Sequence, residues 1–297
     1  MENLRGATVM VVAMAAFALE DMFIKWLAVD MSTGQILMLL GAGGALVFAV
    51  LARRGGGRLL SADFRTRAVI LRNTGEVIGT MGFVTAIALT PLSSASAILQ
   101  ATPLAVTLGA AIFLNETVGW RRWSAILVGF CGVLLIIRPG LDGFEPASLF
   151  AVQGVIGLAI RDLATRAVPR TIGAMQLSFY AFALLVPTGL VLLLVQGHSL
   201  VPLEGAHWLK MAGALLLGLV GYHSIVSAMR LGEVAVVTPF RYSRLIFAIL
   251  IGVAVFGERP DALTLTGAAL IVASGLYTLV REARIHRRAV RAARAAR

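Results

Sequence analysis

The segment LEDMFIK, residues 19–25, recurs in altered form 141 residues further along the chain as IRDLATR, residues 160–166. Charges of the same sign coincide at two positions of this alignment: Asp21 with Asp162, and Lys25 with Arg166. With one inserted residue the match continues, and its last charged pair is Glu116 with Glu258. Agreement at charged positions over this distance indicates two homologous halves, because self-similarity at a fixed offset is the signature of a duplicated architecture.

The composition indicates that both halves lie in a membrane. Hydrophobic residues make up 59% of the 297 residues and charged residues 14%, and the mean hydropathy is +0.88. A soluble domain would be roughly half apolar and about a quarter charged. Ten segments approach the length of about 20 apolar residues that a membrane helix needs: 7–27, 34–52, 68–89, 93–114, 121–138, 147–167, 174–196, 208–230, 234–256 and 262–281.

The number of spans determines how the two halves are oriented. Each half contains five spans, so the second half must enter the membrane from the opposite face. We therefore predict an all-α integral membrane protein with ten transmembrane helices in two inverted five-helix repeats, 1–140 and 141–281, followed by a basic cytoplasmic tail, 282–297. Inverted repeats of this kind are the usual architecture of secondary transporters, in which the two halves enclose a central site.

The distribution of basic residues predicts the orientation of the whole bundle. With a cytoplasmic N-terminus, the inner segments contain 18 of the 26 lysines and arginines: Arg5, Arg53, Arg54, Arg58, Arg65, Arg67, Arg121, Arg122, Arg166, Arg170, Arg230 and seven arginines in the tail. The outer loops contain three: Arg138, Lys210 and Arg259. The positive-inside rule then predicts that both termini are cytoplasmic. The expected location is a bacterial inner membrane. The net charge of +11 is therefore explained by the basic residues that mark the cytoplasmic side. The basic tail lacks the interleaved aromatic residues of a nucleic-acid-binding segment.

Two arginines lie in the middle of the ninth span. Arg241 and Arg244 follow Pro239 and are spaced by about one helical turn, which places them roughly 10–15 Å deep at about 1.5 Å per residue. Charges at that depth are costly, usually face the interior of a helix bundle and mark a pathway. We predict that they form a cationic wall of a substrate cavity. The alternative is a buried ion pair, for which Glu76 is the obvious partner.

Glu76 lies near the middle of the third span. It is a candidate to compete with substrate for an arginine or to carry a coupling proton, because an intramembrane carboxylate is a functional-site hypothesis by default. The other interpretation is a fixed salt bridge. Arg72, one helical turn earlier, is expected to extend to the inner surface instead.

Neutral polar residues in other spans complete the predicted substrate site. Gln100 in the fourth span aligns with Tyr242 in the ninth span at the 142-residue offset, and Tyr222 and His223 are neighbours in the eighth span. These side chains could stack on a planar ring or hydrogen-bond with it. The alternative is that they make ordinary contacts between helices, and for His223 this is the favoured interpretation.

The charged residues of the aligned segments form two pairs with helical i, i+4 spacing, Asp21 with Lys25 and Asp162 with Arg166. Such spacing brings side chains together on one helix face. Because the repeats are inverted, the two pairs are predicted near opposite membrane faces, where they would act as gates or as structural locks. Glu116 and Glu258 are expected to anchor helix ends.

The ends of the fourth and ninth spans carry a family resemblance. FLNE, residues 113–116, and FGE, residues 256–258, end these spans, and the whole chain resembles the EamA family of the drug/metabolite transporter superfamily. Asn115 departs from the glycine of the motif. The resemblance implies a central cavity lined mainly by the third, fourth, eighth and ninth spans and by parts of the first and sixth. The stretch PFRYSRLIFAILIGVAVFGE, residues 239–258, is most similar to bacterial riboflavin uptake carriers and more distantly to S-adenosylmethionine carriers.

The expected function is therefore secondary transport of a small metabolite by alternating access, with riboflavin uptake as the leading hypothesis. Export of amino acids or drugs and S-adenosylmethionine uptake are the alternatives within this class. An intramembrane enzyme or a channel is the alternative of another class, but the chain has no H-E-x-x-H segment and no phosphate-binding loop. No cofactor, no metal site and no nucleic-acid partner is predicted. The sequence leaves open whether two copies form a homodimer.

Overall fold

The computed structural model describes residues 2–56, 59, 62–114, 116, 119–141, 143–169, 171–231 and 233–295. Its regular elements are all helical: α1 (Glu2–Leu27), α2 (Thr33–Arg54), α3 (Arg67–Leu89), α4 (Leu92–Leu99), α5 (Thr102–Phe113), α6 (Trp120–Ile137), α7 (Ser148–Thr165), α8 (Ala174–Val195), α9 (Gly205–Leu231), α10 (Val234–Val237), α11 (Ser243–Phe256) and α12 (Ala262–Ala295), with 3₁₀ turns at Ala62–Arg65 and Thr238–Tyr242. Arg58, Asn115 and Arg170 lie outside the described residues, as do the side chains of the tail arginines beyond Arg284.

The ten predicted spans correspond to ten helical segments, so the predicted fold class is confirmed. Within the described part of the chain, nine segments are long and apolar enough to cross a membrane. The tenth is α3, whose first half contains Arg72, Asn73 and Glu76 and is therefore less apolar. The largest difference in a boundary is at α12, which continues to Ala295 rather than ending near residue 281, because alanine and arginine are strong helix formers.

The fourth and ninth spans are both broken in their first half. The fourth is divided into α4 and α5 at Gln100 and Ala101, and the ninth passes from α10 through the 3₁₀ turn to α11. A proline lies at each break, Pro103 just after the first in α5 and Pro239 within the 3₁₀ turn. Proline has no N–H to continue the helical ladder, and the Thr102 hydroxyl donates to the freed carbonyl of Leu99 at 2.6 Å.

The closest helix pairs each join the first repeat to the second. α1 packs against α9, α2 against α8, α3 against α7, and α6 against α12, while α4 contacts α11. Under the repeat alignment α1 corresponds to α7 and α3 to α9, so the α1–α9 and α3–α7 pairs are equivalent. This pattern is that of a pseudo-twofold axis that relates the two halves through a shared interface.

Glycines allow the α3–α7 pair to approach closely. Gly79 and Gly157 meet backbone to backbone, and a Cβ built on Gly75 would lie 2.6 Å from the backbone nitrogen of Arg161. Small residues at helix interfaces have this role in membranes, where packing replaces the hydrophobic effect between helices.

We expect a Gly157→Ala substitution to destabilise the bundle by about 2 kcal/mol or more, because the added methyl group would collide with the backbone of Gly79 and neither helix can yield locally. The matched control is Gly205→Ala, where nothing lies within 4 Å of the added group. Thermal unfolding of both variants in detergent measures the difference. Equal melting temperatures would contradict the proposed role of the α3–α7 contact.

Candidate functional site

Arg244, in α11, forms an ion pair with the buried Asp21 of α1. Its Nη2 donates to Oδ1 at 2.8 Å and to Oδ2 at 2.7 Å, and its Nε donates to Oδ2 at 3.2 Å. The guanidinium carbon also lies 5.4 Å from the ring centroid of Phe17 and 5.3 Å from that of Phe83. The ion-pair interpretation of Arg244 thus describes the structure, but its partner is Asp21 and not Glu76.

Lys25 points away from Asp21, so the expected i, i+4 pair does not form. The Lys25 ammonium donates to the carbonyl oxygens of Ile87 at 3.1 Å and Thr90 at 2.6 Å, at the end of α3. It also lies 3.9 Å from Glu258. Carbonyls at a helix C-terminus lack partners within their own helix, so a nearby lysine satisfies them, whereas Asp21 is already occupied by Arg244.

Glu258 caps the N-terminus of α4 from the other repeat. Its carboxylate accepts hydrogen bonds from the backbone N–H of Leu92, from the backbone N–H of Ser93 at 3.0 Å and from the Ser93 hydroxyl at 2.7 Å. A carboxylate at a helix N-terminus compensates unpaired N–H groups and the positive end of the helix dipole. Glu258 therefore ties the end of the ninth span to the start of the fourth.

A Glu258→Ala substitution is expected to lower the free energy of unfolding by about 2–3 kcal/mol, since hydrogen bonds to a charged acceptor are among the strongest in proteins. The matched control is Glu116→Ala at the equivalent position of the first repeat, where an exposed ion pair contributes less than about 1 kcal/mol. Thermal unfolding of both variants provides the comparison, and equal losses would show that Glu258 is not a special anchor.

Glu76 lies between two arginines. Its carboxylate oxygens are 3.1 Å from Arg72 and 3.2 Å from Arg161, and Arg161 also donates to Asp162 at 2.8 Å. Arg72 further donates to the carbonyl of Leu177 at 3.1 Å, so it does not extend to the surface as expected. The salt-bridge interpretation of Glu76 agrees with the structure, with Arg72 and Arg161 as its partners.

The expected pair of Asp162 with Arg166 also does not form. Arg166 binds Glu116 at 2.8 Å, and this pair is equivalent by the repeat to that of Lys25 with Glu258. The two equivalent pairs differ in exposure: the side chains of Arg166 and Glu116 are 51% and 45% exposed, against 17% and 8% for Lys25 and Glu258. The bundle is thus more tightly closed at the Lys25 end than at the Arg166 end.

Further contacts between the repeats lie at the Lys25 end. They are Arg138 with Asp261, Asp30 with His207 at 3.4 Å and with Lys210 at 3.5 Å, and Gln35 with the backbone of Val201. The arginine holds the pKa of Asp261 at about 2 through its hydrogen bond, with help from the Thr264 backbone. This carboxylate is therefore ionised at neutral pH and keeps its contact with Arg138.

Arg241 differs from the other arginines of the core. Gln100 donates from its amide to the carbonyl oxygen of Arg241 at 3.3 Å, which joins the breaks of the fourth and ninth spans. The Arg241 side chain is exposed although it belongs to a membrane span, and within the described residues no hydrogen bond or ion pair engages its guanidinium. Arg161, Asp162 and Arg244 lie within electrostatic reach.

The structure does not bring the other predicted site residues together with Arg241. The Tyr242 ring is buried, and its hydroxyl points at Gly275 of α12. Tyr222 packs edge-to-face on Phe48, with ring centroids 5.3 Å apart. The exposed His223 lies 3.5 Å from the hydroxyl of Ser227 on its own helix. These are the ordinary helix contacts that were the alternative interpretation.

Sequence reasoning gave Glu20 no role of its own. Its carboxylate is partly buried in α1 and faces α9 at Gly218. The available signal was the alignment with Arg161 at the 141-residue offset.

We define the central charged cluster as eight residues: Glu20, Asp21, Arg72, Glu76, Arg161, Asp162, Arg241 and Arg244. In the parts of the chain that the structure describes, no group of three or more side chains is arranged to hold a metal ion.

Comparison with known proteins identifies what the chain resembles. The profile of the EamA-like transporter family matches twice, over residues 4–138 and 146–280. A solved crystal structure superposes with a TM-score of 0.58 over 95% of this chain and 98% of its own length. At 16% identity that likeness concerns the fold alone.

Characterised relatives come from several bacteria. The riboflavin transporter of Rhizobium johnstonii is 29% identical over 95% of this chain and 93% of its own length, and that of Vibrio cholerae is 30% identical over 74% and 73%. The S-adenosylmethionine uptake transporter of Rickettsia felis is 26% identical over 72% and 71%.

Proposed function

Because the chain belongs to the EamA-like transporter family, we propose that this multi-pass membrane transporter takes up riboflavin by alternating access. The observation that carries the proposal is the Arg241 guanidinium, which has no hydrogen bond or ion pair among the described residues. The backbone carbonyl of the same residue accepts from Gln100, at the point where the two broken spans meet. Broken spans that meet near the midplane are typical of solute sites in secondary transporters. The guanidinium and the Gln100 amide donate hydrogen bonds, and the imide carbonyls of an isoalloxazine ring accept them.

The charge balance of the central charged cluster supports a neutral solute. Four carboxylates face four guanidiniums in that cluster, and Asp21 and Glu76 are each engaged by arginine. The net charge of the cluster is zero when Glu20 is ionised and +1 when Glu20 is protonated, so the site offers donors without a strong net field. Two relatives named as riboflavin transporters support the same solute. S-adenosylmethionine, which is positively charged, is the second candidate because four of the relatives are named as its uptake transporters.

The test is uptake of labelled riboflavin by a riboflavin-auxotrophic bacterium that expresses this chain. We expect saturable uptake that unlabelled riboflavin inhibits and S-adenosylmethionine does not. Cells with an empty vector provide the background, and membrane fractionation establishes that the protein is present. Absence of uptake with the protein in the membrane would exclude riboflavin, and inhibition by S-adenosylmethionine would favour the second candidate.

We further propose that the closed Lys25 end faces the periplasm and that the Arg166 end faces the cytoplasm, with both termini cytoplasmic. The positive-inside distribution supports this orientation. Reporter fusions at the C-terminus test it: a fluorescent protein is expected to be active and alkaline phosphatase inactive, and the reverse would overturn it. Association of two copies stays a prediction, which chemical cross-linking in native membranes tests.

A further inference from the structure

Glu20 is an intramembrane carboxylate that faces a glycine. Its Oε1 lies so close to α9 that a Cβ built on Gly218 would come within 2.7 Å of it. Within the described residues, no hydrogen bond or ion pair reaches this carboxylate. Arg244 is the nearest cation, but it donates to both oxygens of Asp21.

The internal repeat identifies the partner that Glu20 lacks. Glu20 aligns with Arg161 at the 141-residue offset, and Gly218 aligns with Glu76 at the 142-residue offset. Between α3 and α7 these positions form a salt bridge of 3.2 Å. Between α1 and α9, the equivalent contact joins the Glu20 carboxylate to Gly218. The two helices are packed together there, but no cation pairs with the carboxylate.

The other elements packed against α1 supply little compensation. The charges that act on Glu20 are those of Asp21 on its own helix and Arg244 from α11. The α3 helix contributes the Phe83 ring beside Arg244, and α4 and α10 contain no ionisable residue. In the 3₁₀ turn, the charge of Arg241 acts on that of Arg244.

An ionised carboxylate is costly when it is pressed against a helix backbone inside a membrane, whereas a protonated carboxyl group is tolerated. Closure of α1 on α9 therefore favours the protonated form of Glu20, and separation of these helices admits water and favours the ionised form. Glu76 has no such dependence, because two arginines stabilise its charge in the closed packing.

We propose that Glu20 is the proton-binding site that couples solute movement to the proton gradient. This proposal rests on the proposed uptake function. A proton taken from water at the open Lys25 end neutralises Glu20 as solute binds, and α1 then closes on α9. After the solute leaves, the same proton passes to water in the cavity at the Arg166 end, and the carboxylate is restored. Each cycle moves one proton with one solute, and the protein ends unchanged.

The first test needs no solute. Dicyclohexylcarbodiimide modifies protonated carboxyl groups in apolar surroundings, and mass spectrometry locates the modified residue. We expect modification of Glu20 in the purified full chain at neutral pH, increasing as the pH falls, and no modification at that position in Glu20→Gln. Glu76, held by two arginines, is expected to stay unmodified. Absence of modification at Glu20 at neutral and mildly acidic pH would overturn the proposal.

The second test uses riboflavin in proteoliposomes. A pH gradient of one unit, acid outside, is expected to drive up to about tenfold accumulation by the unaltered chain, since a tenfold concentration ratio balances one proton per solute across one pH unit. Glu20→Gln is expected to lose this accumulation while riboflavin counterflow stays within about twofold. The control Glu204→Gln, which changes an exposed carboxylate in the loop before α9, is expected to behave like the unaltered chain.

The outcomes separate the two proposals. Accumulation that ignores the pH gradient, or that survives in Glu20→Gln, would overturn proton coupling through Glu20 and leave riboflavin uptake standing. If the unaltered chain does not move riboflavin at all, the solute proposal fails, and the carbodiimide labelling alone decides for or against Glu20. A Glu20→Asp variant that regains gradient-driven accumulation would separate titration from a structural role.

Discussion

Replacing Arg244 with alanine is expected to destabilise the protein by about 3–5 kcal/mol, because it leaves the Asp21 carboxylate buried without a partner. The side chain of Asp21 is only 3% exposed, and Arg244 supplies every hydrogen bond that the structure shows for its carboxylate. Loss of one member of a buried pair is costlier than loss of both. In detergent, the melting temperature is expected to fall by on the order of 10 °C.

The matched control removes both charges. A double variant, Asp21→Leu with Arg244→Met, is expected to regain most of the lost stability, because neither residue then leaves an uncompensated charge. Transport by the double variant is expected to remain low if the pair also aligns the helices around the cavity. A single Arg244→Ala variant as stable as the unaltered chain would show that the ion pair does not hold the two repeats together.

Replacing Arg241 with alanine is expected to reduce riboflavin uptake by about tenfold to a hundredfold, the range that loss of a hydrogen bond to a charged donor implies. The melting temperature is expected to change little, because no ion pair is lost within the described structure. Removal of this charge loses the attraction of the Asp162 carboxylate and relieves repulsion from the guanidiniums of Arg161 and Arg244. Uptake kinetics and thermal unfolding of the same preparation measure the two effects.

Two further variants define what Arg241 contributes. Arg241→Lys keeps the charge but loses the planar fork of donors, and we expect intermediate uptake. Lys210→Ala, near the start of α9, is a control for removal of a cation away from the breaks. Unchanged uptake in Arg241→Ala would exclude the residue from solute binding, and a large fall in melting temperature would assign it a structural role instead.

The helices and the repeat were predictable because both depend on local properties of the chain. A span of apolar residues is helical in a membrane whatever its neighbours are, since its backbone must bond internally. Pro103 and Pro239 are local signals of the same kind for the breaks in the fourth and ninth spans, because a missing N–H acts on its own helix, although the two breaks were not predicted from them. The intramembrane positions of Arg241, Arg244 and Glu76 followed from counting residues along the spans.

The partners of these charges were not predictable in the same way. The i, i+4 spacing favoured ion pairs of Asp21 with Lys25 and of Asp162 with Arg166. The similar depth in the membrane favoured an ion pair of Glu76 with an arginine of the ninth span. In the structure, Asp21 binds Arg244, Lys25 binds the end of α3 and Glu258, and Arg166 binds Glu116. Each of these contacts joins different helices, and all but that of Lys25 with α3 cross from one repeat to the other. Spacing within one helix carries no information about such contacts.

The sequence by itself determined that this protein is a ten-span inverted repeat with charges buried near the midplane, because hydropathy and duplication are properties of the chain read residue by residue. Only the tertiary structure decided which of those charges are neutralised and which remain available. That outcome depends on which helix faces meet, and it left Arg241 and Glu20 without partners among the described residues. Those two residues carry the proposals for solute binding and proton coupling.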